Sequence, residues 1–82
     1  MTRTVRVRCE VDKRNILLLN SLIDSYEGLA IVRTVDSSSG RMVMYSTEDV
    51  YERLLDVINA LNKEGIPIRN ISTELSEEID RW

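Results

Sequence analysis

The sequence predicts an α+β domain in which one four-stranded antiparallel sheet carries two helices on a single face. Three observations support this. An alternating apolar stretch opens the chain, two stretches with apolar residues at helical spacing each end at a glycine, and between them lie two strand-like runs joined by a serine-rich turn. The order strand-helix-strand-strand-helix-strand is two strand-helix-strand units in tandem. Right-handed crossovers place both helices on the same side of the sheet, which is the ferredoxin-like βαββαβ sandwich.

Thr4 to Val11 alternates, with Val5, Val7, Cys9 and Val11 on one side and Thr4, Arg6, Arg8 and Glu10 on the other, as a half-buried strand does. Asp12 is expected to cap the following helix through its carboxylate. Ile16, Leu19, Ile23 and Tyr26, with Leu18 and Leu22 beside them, form its apolar stripe, and Gly28 is expected to stop it. Leu29 to Asp36 and Arg41 to Ser46 read as a hairpin closed by Ser37 to Gly40. Both hairpin strands are apolar on both faces: Leu29, Ile31 and Val35 oppose Ala30 and Val32, and Met42 and Met44 oppose Val43 and Tyr45. Thr47 is the expected N-cap of the second helix, Val50, Leu54, Val57, Ile58 and Leu61 its buried stripe, and Gly65 its stop. Ile66 to Ile71 reads as the last strand, with Pro67 at its start on a sheet edge. Ser72 to Trp82 is acidic and carries Leu75, Ile79 and Trp82 spaced i, i+4, i+7, consistent with a short amphipathic helix or an unstructured tail. The expected organisation is one domain over 1–74 and a tail over 75–82.

A chain of 82 residues with 43% hydrophobic and 30% charged side chains builds one thin core, and burial against a second copy would add stability. A homodimer is the first expectation about partners. The net charge is −3 and the eleven Lys and Arg are dispersed, which disfavours nucleic acid. Arg6 and Arg8 with Tyr45 look only superficially like the aromatic platform of RNA-recognition domains. No apolar run reaches the length of a membrane helix or follows a basic start as in a secretory signal, so no membrane partner is expected and the cytoplasm is the expected compartment.

Histidine is absent, and the single Cys9 points inward on its strand as an inert core residue. No glycine-rich phosphate loop, paired cysteines or nucleophile-base set is present. The expectation is therefore a protein that is not an enzyme, with no cofactor and no metal; Glu48-Asp49 and Glu77-Glu78 read as solvated helix starts. At Asp12, Lys13, Arg14 and Asn15, a helix start with two cations suits an amino acid or other small anion. Such a sheet leaves one face open, with arginines and apolar hairpin residues on it. Arg6, Arg8, Val32, Val43, Tyr45 and Trp82 are the expected interface.

The segments Val11-Asp12-Lys13-Arg14-Asn15-Ile16, Tyr26-Glu27-Gly28-Leu29-Ala30 and Val32-Arg33-Thr34-Val35-Asp36 resemble a family of short bacterial proteins known only as a domain of unknown function. The resemblance spans Val5 to Ile71. That family is in turn similar to ACT-like regulatory domains. The likeness implies the ferredoxin-like plan, a dimer paired through sheets or helices, and an amino acid bound near the loop after the first strand. The function expected is a regulatory or small-ligand-binding homodimer. The alternative is a structural adaptor that binds another protein through its sheet face or tail.

Overall fold

A computed structural model describes residues 3–76. Its elements are β1 (Thr4–Val11), a 3-10 turn (Lys13–Asn15), α1 (Ile16–Asp24), β2 (Ile31–Asp36), β3 (Arg41–Thr47), α2 (Tyr51–Lys63) and β4 (Ile68–Ser76). The sheet order is β2-β3-β1-β4, and every adjacent pair is antiparallel. This is the ferredoxin-like arrangement that the alternation of periods predicted.

The core lies between the helices and one sheet face. Val5, Val7, Cys9 and Val11 from β1 and Met42 and Met44 from β3 meet Ile16, Leu19 and Ile23 of α1 and Leu54, Ile58 and Leu61 of α2. Register partners such as Val7 with Met44 and Cys9 with Met42 keep these side chains on one side of the pleat. Arg6, Arg8, Val43 and Tyr45 consequently fall on the other side, with Arg6 opposite Tyr45 and Arg8 opposite Val43.

Several local expectations are corrected. The Asp12 carboxylate makes no cap hydrogen bond. Its main-chain carbonyl accepts the Asn15 N–H at 2.8 Å instead, so a 3-10 turn starts the helix and the side chain is left for other partners. Helix α1 ends at Asp24, four residues before Gly28. Tyr26 therefore sits in a turn and is exposed rather than in the stripe. Thr47 is the last residue of β3 and not a cap. Glu48 donates its N–H to the Arg3 carbonyl at 3.1 Å, and its carboxylate accepts the Arg3 N–H at 3.2 Å. These bonds prolong the β1–β3 ladder and delay α2 to Tyr51.

Gly65 does end α2, at φ +98. Its N–H bonds Asn62 O at 3.2 Å and the Ile66 N–H bonds Leu61 O at 3.0 Å, the paired bonds of a Schellman motif. Asn62 then clips strand to helix: its Oδ1 accepts the Ile68 N–H at 2.7 Å and its Nδ2 donates to Ile68 O at 3.2 Å.

The last strand runs from Ile68 to Ser76 rather than from Ile66 to Ile71. Residues 72–76 are thus neither helix nor unstructured tail, and the strand passes the boundary expected at residue 74. Pairing with β1 supplies main-chain partners that a reading of local periodicity leaves out. Ile79 and Trp82 lie outside the described residues.

Leu29 precedes β2 and is buried in the core, while Ile31 is on the solvent side of the strand. Their shared face in the sequence reading does not exist, because the strand starts two residues later. The hairpin turn is fixed by Gly40, buried at φ +76, where a Cβ would stand 1.8 Å from the Val11 carbonyl oxygen. Only glycine fits a left-handed position this close to another main chain.

Candidate functional site

Three regions have exposed or underused chemistry. The first is the shoulder after β1. Lys13 and Arg14 are exposed there, and with Asp12 they line an open depression of about 640 Å³. Asp12 is already engaged: its carboxylate accepts from Arg69 Nη1 at 3.3 Å and lies 3.9 Å from Arg14. Asn15 is half-buried and does not line the depression.

The second region is the sheet face away from the helices. Arg6 pairs with Glu74 across β1 and β4, and Arg8 reaches the same carboxylate at 3.5 Å. Arg6 is only 6% exposed and Val43 is 0% exposed, although Val43 lies outside the helix-face core. Of the expected interface residues, the structure thus brings Arg6, Arg8, Val43 and Tyr45 onto one face. Val32 is a correction: it pairs with Met44 and packs half-buried against the helix-side core, because the β2 register puts it there. Trp82 lies outside the described residues.

At the far end of this face, Asp36 ends β2. Hydrogen bonds from the Ser38 hydroxyl and from Arg41, with the Ser38 N–H, hold its carboxyl well below the usual carboxylate range. Both ladders are irregular at this end, between Thr34 and Asp36 and between Arg8 and Glu10. Asn70, at φ +52, stands at the second irregularity and donates to Glu10. Arg8, Glu10, Arg41, Asn70 and Ser72 line a hollow of about 230 Å³ there. Cys9 lies beneath it. Burial, and secondarily the charge of Glu10, push its thiol up to about 11, so it is an unreactive thiol at neutral pH.

The third region is one that the sequence reading missed. At the opposite end of the sheet from the shoulder, Leu29, Ala30, Ile31, Tyr45, Thr47 and Val50 line a largely apolar groove of about 570 Å³. Ser46, also at its wall, is satisfied by donating to Leu29 O at 2.8 Å. The Tyr45 hydroxyl is buried and has no hydrogen-bond partner among the described residues. The groove opens beside β2, an edge strand on which Ile31 is 72% exposed. Its walls come from β1, the turn before β2, β2, β3 and the start of α2. No local pattern joins them; only the pairing of Ile31 with Tyr45 does so.

The family model described as a domain of unknown function (DUF4911) matches residues 9–64, and the chain belongs to that family. No curated protein and no solved structure matches it. No helix among the described residues is long and apolar enough to cross a membrane.

Proposed function

We propose that this family member is a non-enzymatic, ACT-like regulatory module of the bacterial cytoplasm that binds a small ligand, an amino acid being the class that the ACT-likeness implies, and acts as a homodimer. The observation that carries the reading is the groove beside Tyr45. Its volume, about 570 Å³, is within the range of small-molecule sites, and largely hydrocarbon walls with a few polar groups, here hydroxyl side chains, are the usual make-up of such sites. The Tyr45 hydroxyl is closed to solvent, so a ligand's polar group would reach it only once the ring turned toward the groove, recovering the roughly 1–3 kcal/mol that a buried hydroxyl without a partner costs. The groove, rather than the Asp12–Asn15 shoulder, is the preferred site, because the shoulder is open and its carboxylate is engaged by Arg69.

Two copies join through β2 in this reading. An edge strand offers unpaired main-chain donors and acceptors, and Ile31 and Val35 add exposed apolar contacts on it. The test is calorimetric titration with leucine, isoleucine, valine and methionine, together with light scattering on the eluting protein. Saturable binding that weakens in Tyr45→Phe, by a dimer that Ile31→Asp converts to a folded monomer, is the expected result. A monomer that takes up no amino acid refutes the proposal.

A partner-binding reading through α1, not through the sheet face or tail expected of an adaptor from the sequence, has one observation in its favour. Leu17 on α1 is 78% exposed and Leu18 beside it is also exposed, so α1 offers an apolar spot unrelated to the groove. A Leu17→Asp, Leu18→Asp variant that keeps ligand binding and dimerisation separates the two readings.

A further inference from the structure

The groove beside Tyr45 does not end at its apolar walls. A second hollow, of about 250 Å³, shares Gly28, Leu29 and Val50 with it and adds Tyr26, Glu27 and Arg53. The two adjoin but differ in chemistry: no charged side chain lines the groove, whereas the second hollow has one carboxylate and one guanidinium. Building on the amino-acid reading of the groove, we infer that the two hollows form one elongated site for a free α-amino acid with an apolar side chain. Arg53 takes its carboxylate, Glu27 its ammonium, and the groove its side chain.

Backbone turns set both charges at the junction. The Leu29 N–H donates to Tyr26 O at 3.2 Å, closing a turn with Gly28 at φ +74, so Glu27 occupies the first central position of that turn. The Arg53 N–H donates to Val50 O at 3.0 Å, which fixes Arg53 in the first turn of α2. Both side chains are exposed, and among the described residues no ion pair joins them or engages either one. Arg6, Arg8, Arg41 and Arg69, in contrast, already have carboxylate partners. A mouth with one charge of each sign favours a zwitterion, which gives both groups a charge-assisted hydrogen bond. A simple carboxylate or amine meets one partner and one like charge there. Beyond the mouth, Leu29, Ala30, Ile31 and Val50 offer hydrocarbon to the side chain, so leucine or methionine is accepted and glutamate, which would put a carboxylate against those walls, is rejected.

The test is calorimetric titration of the full chain with L-leucine, L-leucinamide, N-acetyl-L-leucine and L-glutamate, repeated on Glu27→Gln and Arg53→Gln. Both positions are exposed, so each variant should keep native circular dichroism. Leucine should bind saturably, and glutamate roughly tenfold or more weakly. Each variant should weaken leucine roughly tenfold, the scale of one charge-assisted contact. Arg53→Gln should cost leucinamide little, since it has no carboxylate, and Glu27→Gln should cost acetyl-leucine little, since it has no ammonium. Leucine binding that both substitutions leave unchanged overturns this placement of the head group while the groove reading stands. So does a parent chain that binds leucinamide and acetyl-leucine as tightly as leucine. A chain that binds no amino acid overturns both.

Discussion

Replacing Gly40 by alanine tests the reading of the hairpin most directly. Two costs arise. Residue 40 holds φ +76, and an L-residue in the left-handed region costs roughly 1–2 kcal/mol. The new Cβ would also stand 1.8 Å from Val11 O and must be moved to at least 3.0 Å. That displacement strains the 2.9 Å hydrogen bond from the Val11 N–H to Gly40 O, worth about 1 kcal/mol net, and the overpacking adds about 1–3 kcal/mol. The total is about 3–6 kcal/mol, against roughly 4–12 kcal/mol for a whole domain of this size. Gly65→Ala is the control. Its φ is +98 with no atom within 4 Å of the added Cβ, so it bears strain without a clash. Urea unfolding of both variants should place the Gly40→Ala midpoint well below that of Gly65→Ala, by about 2 kcal/mol or more at unchanged slope. Equal midpoints would refute the close approach of the hairpin turn to the end of β1.

Cys9 gives a pH signature. Its folded thiol is held protonated up to about 11 against an ordinary value of 9.0, so the folded state retains a proton that the unfolded state releases. Stability is intact below pH 9 and falls as pH rises from 9 to 11, by on the order of 2 kcal/mol; Cys9→Ala, measured by thermal melting over the same range, should lack this component. Asp36 has the opposite sign, since its folded carboxyl is depressed below 3.8. Asp36→Asn should therefore be less stable than the parent at pH 7, and the gap should narrow as pH falls below 3.8; a gap that stays constant to strong acid removes Asp36 as its cause. Leu54, fully buried on α2, should cost about 2–5 kcal/mol as alanine in a chemical melt. Arg69→Ala should change stability by less than about 1 kcal/mol, because the Arg69–Asp12 pair is exposed.

Much of the fold was legible because its signals are periodic. Val5, Val7, Cys9 and Val11 could occupy one side only of a strand, and Leu54, Ile58 and Leu61 one side only of a helix. Errors gathered at element ends. There the Asp12 carboxylate answered to the Arg69 guanidinium, Thr47 to its pairing with Thr4 on β1, and Tyr26 to where α1 stopped. The candidate site was less legible still. Asp12, Lys13 and Arg14 were found together because they are consecutive, whereas the groove needs Ile31 beside Tyr45 and both beside Val50.

The sequence by itself determined the element order, the helix-side core and the outward phase of Arg6, Arg8, Val43 and Tyr45, since those follow from side-chain period and from the hand of crossovers. Tertiary structure alone decided the length of β4, the helix-side position of Val32, the burial of Val43 and Arg6, and the groove at Tyr45. The reason is register. A one-residue choice of start or bulge in a strand flips every side chain to the other face, and that choice is made by long-range pairing rather than by local preference.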